Sequence, residues 1–403
     1  MRGESLVGTE VEVEVGPVAH GGHCVARHEG RVLFVRHTLP GERVVARVTE
    51  GGTEDRFLRA DAVRVLTASP DRIEPVCRVA GPGGCGGCDW QHAELTAQRR
   101  LKAAVVREQL TRLAGVDVDV EVLPVPGDVA GLRWRTRVEL AVGPTGRAGL
   151  HPHRSRAVLP IDDCPIASAD IVDSGVLQRD WRGARAVELI VPSVGEPVVV
   201  PVGEPAAPMT TVRERVGATA WQGELEVAAR GFWQVHPGAA ATYVDRVLAE
   251  LAPRPGEHAV DLYAGAGLFA LALADAVGPT GSVVAIEGDR AACADAVANA
   301  ADRPWVSVRA GGVQELVAEL TTADLVVLDP PRSGAGRTVV EAICALQPRR
   351  VAYVACDPAA LARDLAYAAA AGYRLAGLAA YDAFPMTHHV ECIATLEVSA
   401  PRR

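Results

Sequence analysis

Apolar and polar residues alternate through the first 66 residues of the chain. The pattern is clearest in GTEVEVEVGPVAH, GRVLFVRHTLPGERVVARVTE and FLRADAVRVLT, and glycine or proline separates one segment from the next. Alternation with a period of two is typical of β-strands that bury one face, and short strands of this kind form small closed barrels. We therefore predict an OB-like β-barrel domain over residues 1–66.

The pattern changes in the middle of the chain. The segment LTAQRRLKAAVVREQLTRLAG, residues 95–115, predicts a helix that ends at Gly115, a residue type that commonly terminates helices. Between about residues 120 and 230 the apolar runs are short, and proline and glycine interrupt them. These features predict a central, mainly β-structured domain over residues 67–230.

From residue 231 onward, strand-like and helix-like segments alternate. HAVDLYAGAGLFALALADAVG predicts a strand, a glycine turn and a helix, and SVVAIEGD, ADLVVLDPP and VAYVACDP are further apolar strands. Such alternation predicts a parallel sheet. The last two strand-like segments leave no room for a helix between them, so the final strand runs antiparallel. Residues 231–403 thus have the α/β layout of a class I (Rossmann-like) S-adenosylmethionine-dependent methyltransferase domain.

The overall composition is that of a globular protein: of 403 residues, 49% are hydrophobic and 23% are charged. The first residues lack the apolar core of a secretory signal, and no apolar run is long enough to span a membrane. We therefore expect a cytoplasmic protein. In that compartment the nine cysteines are thiols, ligands or nucleophiles rather than disulfides.

A cluster of arginines stands out against the net charge of −9. Six arginines and a single acidic residue, Glu139, lie between residues 133 and 156. Arginine binds phosphate in a bidentate manner, which favours contact with a nucleic acid, and a solvated charged face is the alternative. Trp134, between two of these arginines, is either a stacking platform for a base or a core residue.

The glycine turn after the first strand of the α/β domain carries the residues DLYAGAG. Gly265 and Gly267 allow a tight turn that brings backbone N–H groups close to a ligand. Glu287 ends the next strand, 22 residues after Gly265, where a carboxylate can accept hydrogen bonds from ribose hydroxyls. The third glycine of the dinucleotide-binding pattern is absent, which favours S-adenosylmethionine over NAD as the cofactor.

Two motifs place reactive side chains at one edge of the predicted sheet. ACDP follows a parallel strand, and HHVE opens the antiparallel one, so Cys356 and Glu391 can face one substrate. A thiolate that adds to C6 of uracil makes C5 nucleophilic enough to accept a methyl group, and a base must then remove the C5 proton. Cys356 would be the nucleophile and Glu391 the base. The alternative for Cys356 is a buried structural cysteine.

Over essentially its full length the chain resembles the RNA 5-methyluridine methyltransferases, the RumA/TrmA family. The resemblance is carried by FWQVHP, DLYAGAG, VVAIEGD, VLDPPRSG, YVACDP and FPMTHHVE. It implies that Cys356 is the nucleophile and Glu391 the proton acceptor. The S-adenosylmethionine contacts that it implies fall on Gln234, Tyr263, Glu287 and Asp329. The chain departs from many members at Leu268 and His236, where asparagine is common.

The N-terminal segment HGGHCVARHEGRVLFVRHTLPGERV resembles a TRAM domain, a module associated with RNA binding. Within the family, this domain accompanies RumA-like enzymes that act on ribosomal RNA, whereas TrmA-type enzymes for transfer RNA usually lack it. The resemblance therefore implies an RNA substrate, with 23S ribosomal RNA favoured and transfer RNA as the alternative. We expect the protein to be a monomer.

Three cysteines, Cys77, Cys85 and Cys88, cluster in CRVAGPGGCGGCDW, and a fourth, Cys164, precedes a proline in IDDCPI. Zinc ribbons use two C-x2-C pairs, and this chain has one. Three clustered cysteines with a distant Cys-Pro are closer to the ligands of a [4Fe–4S] cluster. The family resemblance implies the same four ligands. The cysteines assigned to packing are Cys293, Cys344 and Cys392.

Three other functions compete with methylation of uracil C5. A 5-methylcytosine RNA methyltransferase would carry a cysteine in the DPPRSG motif, which has none. An amino-group methyltransferase would place an aromatic residue after Pro-Pro, where this chain has Arg332. A non-catalytic RNA-binding or iron–sulfur scaffold would not need Cys356 and Glu391 together at one edge. The sequence therefore favours the uracil-C5 enzyme.

Overall fold

Five strands close into a barrel in the N-terminal part of the chain. The computed structural model describes residues 4–203 and 210–399, and the predicted domain ends at residues 1 and 403 lie outside them. The strands are β1 (Glu10–Val18), β2 (Cys24–His28), β3 (Arg31–Arg36), β4 (Arg43–Glu50) and β5 (Phe57–Thr67). They pair in the order β1-β2-β3-β5-β4, and β4 bonds back to β1. The predicted barrel is confirmed.

A long helix follows the barrel. It runs as α1 (Leu95–Gln109) and continues as one π-helical turn over Leu110–Ala114. Gly115 ends it in the left-handed conformation, with φ of +66°, which glycine adopts without steric cost. The predicted helix over residues 95–115 is confirmed, and its last turn is wider than an α-helical one.

The central part of the chain is mainly β-structure, as predicted. Its elements are β6 (Val122–Pro124), β7 (Arg137–Val142), β8 (Ala148–Leu150), β9 (Leu159–Pro160), α2 (Ala169–Asp173), β10 (Ala186–Ile190), β11 (Val198–Val202), β12 (Thr211–Gly217) and β13 (Gln222–Ala228). Five of these strands form an antiparallel sheet in the order β11-β10-β7-β8-β9. The strands β12 and β13 form a separate hairpin.

The remaining chain builds an α/β domain around an eight-stranded sheet. Seven of its strands come from this part of the chain: β14 (His258–Leu262), β15 (Ser282–Glu287), β16 (Val306–Ala310), β17 (Leu325–Leu328), β18 (Arg350–Ala355), β19 (Tyr373–Asp382) and β20 (Glu391–Val398). The order is β16-β15-β14-β17-β18-β20-β19-β6. β20 runs antiparallel to both β18 and β19, which confirms the expectation from the missing helix. The strand β6, contributed by the central segment, was not predicted, because three residues are too few to show a period.

Helices cover both faces of this sheet. They are α3 (Ala239–Leu251), α4 (Leu268–Val277), α5 (Arg290–Asn299), α6 (Val313–Val317), α7 (Arg337–Ala345) and α8 (Pro358–Ala370). Each face of the sheet has its own hydrophobic core, and alternate residues of β17 belong to different cores. Leu325 and Val327 pack in one core with α3 and α4. Val326 and Leu328 pack in a second core with α1, α7 and α8. Because both faces of the sheet are buried, successive residues of a central strand such as β17 are all apolar.

The central hairpin is joined to the α/β domain by specific hydrogen bonds. The backbone N–H of Glu226 donates to Asn299 Oδ1 at 2.8 Å, and that of Ala228 donates to Asp295 Oδ2 at 2.7 Å. Domain limits at residues 67 and 231, a cytoplasmic location and a monomeric state stay predictions. Within the described residues, none of the helices combines the length and apolarity that crossing a membrane requires.

Candidate active site and cysteine site

The predicted site residues lie along one edge of the eight-stranded sheet. Glu287 ends β15, Asp329 directly follows β17, Cys356 directly follows β18, and Glu391 opens β20. The intervening strand order is β15-β14-β17-β18-β20, and neighbouring strands are about 4.8 Å apart. The residues predicted to hold the cofactor therefore occupy one end of the row, and the predicted nucleophile and base occupy the other.

The glycine turn fixes Glu287. Its Oε2 accepts a hydrogen bond from the Gly265 N–H at 2.8 Å, and its Oε1 accepts one from the Asp289 N–H at 2.7 Å. The turn places Tyr263, Gly265 and Gly267 at φ of +62°, +55° and +96°. For Tyr263 this backbone conformation costs of order 1–3 kcal/mol, and such strain is concentrated at ligand-binding sites.

Asp261 lies at the end of β14, directly before this turn, and is buried. Its Oδ2 accepts a hydrogen bond from the Ala270 N–H at 2.7 Å, whereas its Oδ1 has no partner in the described part of the chain. Burial raises the pKa of Asp261 well above its usual range. A buried oxygen without a partner is costly, so Oδ1 marks a position that a hydrogen-bond donor of a ligand can fill.

Cys356 and Glu391 lie at the same end of the β18–β20 ladder. Ala355 pairs with Cys392 in that ladder, so the next position of the register sets Cys356 against Glu391, 35 residues away in the chain. Opposed residues of an antiparallel pair have Cβ atoms about 4.5–5.5 Å apart. Burial, together with the negative charges of Glu391 and Asp329, raises the pKa of Cys356 to about 12.

Glu391 belongs to a buried group of acidic side chains. Its Oε1 has no hydrogen-bond partner among the described residues. Burial, and then the charge of Asp329, raises the pKa of Glu391 well above its usual range, and burial raises the pKa of Asp329 to about 7. The two carboxyl groups therefore favour a positively charged ligand beside them.

Tyr243 of α3 is a member of this group that the sequence did not reveal. The side chain is fully buried, and its hydroxyl has no hydrogen-bond partner within the described residues. Burial and the charges of Glu391 and Asp329 raise its pKa. Tyr243 stands on the apolar face of α3, where an aromatic residue normally signals core packing, so its sequence context contains no sign of the site.

A loop of the barrel reaches the pocket in front of Cys356. The pocket has a volume of about 100 Å³, and residues 20–22 of the β1–β2 loop line it together with Cys356, Arg332, His388 and His389. A Cβ at Gly22 would lie 2.7 Å from the His388 Cβ, so only glycine allows this approach. The barrel therefore forms one wall of the pocket.

His20 joins this loop to Asp357, the neighbour of Cys356. Its Nε2 lies 2.9 Å from Asp357 Oδ2, and this hydrogen bond raises the pKa of His20 above its usual 6.5. The stabilisation is fully present below pH 6.5 and is lost as the pH rises through the raised pKa. Because the His20 side chain is 39% exposed, the pair is worth less than about 1 kcal/mol.

We therefore expect His20→Ala to lower the melting temperature at pH 6 by at most about 2 °C. The difference from wild type shrinks as the pH rises from 6 through the raised pKa of His20, because the wild-type imidazole then loses its proton. Thermal unfolding of both proteins across this pH range measures the difference. A difference that grows with pH would show that the His20–Asp357 pair does not join barrel and α/β domain in this way.

The four predicted ligand cysteines surround one cavity of about 180 Å³. Its remaining lining is mostly apolar, and Arg135 contributes a positive charge. Among the described residues, no three His, Cys, Asp or Glu side chains are grouped closely enough to hold a single metal ion. Four thiolates around one zinc would lie about 3.8 Å apart, given tetrahedral Zn–S bonds of about 2.3 Å.

Hydrogen-bond donors point at the sulfur atoms of this site. The Gly87 N–H donates to Cys85 Sγ at 3.3 Å, and Gln91 Nε2 donates to Cys88 Sγ at 3.3 Å. Burial raises the pKa of Cys85, while the Gly87 N–H and the Arg135 charge act in the opposite direction. Donors and a cation beside sulfur stabilise the thiolate form, which is the form that binds metal.

Other residues singled out in the sequence are buried in the protein interior. Trp134 is 2% exposed and stacks on His236 with ring centroids 6.0 Å apart, so it is a core residue rather than a stacking platform. Leu268 packs in the core at the start of α4, and Gln234 is buried between β13 and α3. The three cysteines that the sequence analysis assigned to packing are all buried: Cys293, Cys344 and Cys392.

The arginine cluster is largely a set of ion pairs. Four of its six members have carboxylate partners, namely Arg133 with Asp163, Arg137 with Glu214, Arg147 with Asp162 and Arg154 with Glu50. Contact of this cluster with a nucleic acid stays a prediction.

Known proteins match both ends of this architecture. The model of the TRAM domain matches residues 4–63, and the model described as tRNA (uracil-5-)-methyltransferase matches residues 313–399. An uncharacterized RNA methyltransferase of Streptomyces coelicolor is 52% identical, covering 98% of this chain and 94% of that protein. The 23S rRNA (uracil(1939)-C(5))-methyltransferase RlmD of Pseudomonas putida is 33% identical, covering 97% of this chain and 94% of that protein. The chain belongs to the RNA uracil-C5 methyltransferase family.

A solved structure of an RNA uracil-C5 methyltransferase has the same fold. It is the tRNA (uracil-54, C5)-methyltransferase of Pyrococcus abyssi in complex with S-adenosyl-L-homocysteine. The TM-score is 0.72 at 21% identity, covering 96% of this chain and all of that chain. The predicted fold, enzyme class and TRAM barrel are confirmed.

Proposed function

We propose that this protein transfers a methyl group from S-adenosylmethionine to C5 of a uracil base in 23S ribosomal RNA. The observation that carries the proposal is the register of β18 and β20, whose extension by one position sets the Cys356 thiol against the buried carboxyl group of Glu391. Both lie at the edge where open α/β sheets bind their ligands. The name of the Pseudomonas putida relative supports 23S rRNA as the target, and transfer RNA is the alternative.

Cys356 acts as the nucleophile in this proposal. Its thiolate sulfur forms a bond to C6 of the uracil, and the electron pair of the C5–C6 double bond moves toward C5 and O4 as an enolate. C5 would then form a bond to the methyl carbon while the bond from that carbon to the sulfonium sulfur breaks, with its electron pair going to sulfur to leave S-adenosylhomocysteine, and C5 still carries its original proton. S-adenosylmethionine supplies that methyl group on a positively charged sulfonium, which the two carboxyl groups favour. Arg332, which lines the pocket, lowers the pKa of Cys356 against the effect of burial.

Glu391 acts as the base. Its carboxylate takes the C5 proton, the electron pair of that C–H bond restores the C5–C6 double bond, and the Cys356 thiolate is expelled. Burial makes Glu391 a stronger base than an exposed glutamate, because its pKa is raised. The C5 proton ends on the carboxylate, and it must pass to solvent before the next cycle.

The residues at the other end of the sheet edge fit the cofactor. Glu287, fixed by the glycine turn, is placed to accept hydrogen bonds from ribose hydroxyls. The unpartnered Asp261 Oδ1 can accept one more hydrogen bond from a ligand. We assign Gln234, Tyr263 and Asp329 to the same cofactor site.

Deleting the gene and mapping 5-methyluridine in the host's RNAs tests the proposal. We expect one or more 5-methyluridines to disappear from 23S rRNA, to remain in transfer RNA, and to return when the wild-type gene is restored. Loss confined to transfer RNA would move the target to that RNA. An unchanged pattern in both RNAs would contradict the proposed activity.

We also propose that Cys77, Cys85, Cys88 and Cys164 hold a [4Fe–4S] cluster. The four thiols surround one cavity, and donors point at two of the sulfur atoms, an arrangement that tunes iron–sulfur sites. Thiolates that bind different irons of one cluster stand further apart than thiolates on a single ion. The lack of a single-ion grouping among the described side chains is compatible with this requirement.

Protein purified without oxygen is therefore expected to be brown, with about four iron atoms per chain. Cys88→Ser should lower the iron content, because it removes a ligand. Cys293→Ser is the matched control, since Cys293 is a buried cysteine on α5, away from this cavity. Metal analysis and the visible absorption spectrum provide the measurement. Colourless wild-type protein that contains zinc would overturn the cluster.

A further inference from the structure

The loop of residues 383–390 leads from the end of β19 into Glu391. It carries His388 and His389, which line the pocket in front of Cys356. Their imidazole rings contact each other with centroids 4.1 Å apart. A displacement of this loop therefore moves one wall of the pocket and, directly after it, the base of the proposed reaction.

The segment that follows Cys88 holds this loop at its middle. The N–H groups of Asp89 and Trp90 both donate to the Met386 carbonyl, each at 3.0 Å. Asp89 Oδ2 accepts a hydrogen bond from the His388 N–H at 3.1 Å and lies 2.6 Å from His388 Nδ1. Asp89 is thus bonded at two points to a loop that is 299 residues away in the chain.

Helix α1 holds the same loop from a second direction. Gln98 Oε1 accepts a hydrogen bond from the Met386 N–H at 2.8 Å. Lys102, the single lysine of the chain, is fully buried and donates to Asp382 Oδ1 at 2.5 Å and to the Phe384 carbonyl at 3.0 Å. A buried lysine requires such pairing, because an unpaired buried charge is strongly destabilising. The start and middle of the loop are therefore fixed by α1.

Asp89 makes the contact that reaches the pocket itself. A carboxylate that binds both the backbone N–H and the Nδ1 of one histidine sets the orientation of its ring, as carboxylates behind metal-bound imidazoles do. The ring of His388 then sets the position of His389. The barrel loop closes on the other side, since Gly22 approaches the His388 Cβ. Removing the Asp89 carboxylate would free the ring of His388 and the end of the loop that leads into Glu391, whereas α1 would still hold the start and middle of the loop.

We propose that Asp89 is a positioning residue of the methyl-transfer site, which holds His388 and the 383–390 loop so that Glu391 faces Cys356. The proposal rests on the proposed function, because it takes Glu391 as the base. It also gives the cysteine segment a part in catalysis, since Asp89 directly follows Cys88. Asp89 touches neither the uracil nor the cofactor in this proposal and acts through the loop.

The test compares Asp89→Ala and Asp89→Asn with Asp163→Ala in the complete, iron-loaded protein. Asp163 is the matched control, because it precedes Cys164 and pairs with Arg133 at 2.9 Å. We expect Asp89→Ala to lower kcat by up to about 100-fold, the scale of a misplaced catalytic group, with KM for RNA within about twofold of wild type. Asp89→Asn, which keeps an oxygen that can accept the His388 N–H, should recover part of the rate.

Hydrogen–deuterium exchange gives a readout that does not depend on activity. In Asp89→Ala the amide of His388 should exchange at least about tenfold faster than in wild type, because its acceptor is lost, whereas the Met386 amide, which donates to Gln98 Oε1, should exchange as in wild type. In Asp163→Ala both amides should exchange as in wild type. This measurement tests the contact even if the wild-type protein does not methylate uridine, which separates failure of the inference from failure of the proposed function.

A double-mutant cycle with His388→Ala tests the route of the effect. If Asp89 acts through His388, Asp89→Ala should change kcat little in a His388→Ala background. Additive losses, an unchanged kcat in Asp89→Ala, or equal losses in Asp89→Ala and Asp163→Ala would each overturn the positioning role. Unchanged exchange at His388 in Asp89→Ala would also overturn it.

Discussion

Cys356→Ala is expected to abolish 5-methyluridine formation while leaving the fold intact. The C5 carbon of uracil is a poor nucleophile, and without the sulfur–C6 bond it does not attack a methyl group. Removal of a catalytic nucleophile lowers rates by at least about four orders of magnitude in well-studied enzymes. The half-buried site of Cys356, past the end of β18, tolerates the smaller alanine. Methyl incorporation from labelled S-adenosylmethionine into unmodified 23S rRNA measures the loss.

Cys344→Ala is the control for this variant. Cys344 is a buried cysteine of the α/β domain that lies on α7, where it packs in the core and away from the sheet edge. We expect this variant to retain most of its activity. Unchanged circular dichroism and unchanged binding of S-adenosylhomocysteine would show that Cys356→Ala is folded. A Cys356→Ala protein that methylates at the wild-type rate would exclude covalent catalysis by this residue.

Glu391→Gln is expected to stop the reaction after methyl transfer and to accumulate a covalent complex between protein and RNA. Glutamine has nearly the same size as glutamate but cannot take the C5 proton, so the Cys356–C6 bond cannot break. The ladder around residue 391 should persist, because the neighbouring pair of Ala355 and Cys392 is unchanged. A denaturing gel should show a slowly migrating band that contains both RNA and the transferred methyl group.

The double variant Cys356→Ala/Glu391→Gln controls for this band. It lacks the nucleophile, so the band should be absent. Turnover of Glu391→Gln at the wild-type rate would remove Glu391 from the role of base. A band that carries no methyl group would place Glu391 at an earlier step than proton removal.

The sequence predicts the layout of the sheet edge well, because its signals are local. Each strand is marked by a run of apolar residues, and two adjacent strands without a helix between them can only run antiparallel. The antiparallel direction of the last strand places Glu391 at the same sheet edge as Cys356, and the antiparallel pairing of β18 and β20 agrees with this placement. Glycines that require a left-handed backbone, such as Gly265 and Gly267, are likewise visible in the sequence.

Contacts between distant segments have no local signature. The bonds of Asp89 with His388 join residues 299 positions apart, and neither side chain differs in its sequence context from an exposed one. The approach of the barrel loop to Cys356 and the burial of Tyr243 beside Glu391 depend on how whole elements pack. The carboxylates that pair with the arginine cluster are likewise not evident from the sequence, because they come from several different segments.

Peptide mapping of the trapped complex tests the central claim most directly. The Glu391→Gln protein is incubated with 23S rRNA and S-adenosylmethionine, digested with nuclease and protease, and analysed by mass spectrometry. We predict a methylated uridine nucleotide attached to the peptide that contains Cys356. A nucleotide attached to any other cysteine, or turnover at the wild-type rate without any attached nucleotide, would contradict the account.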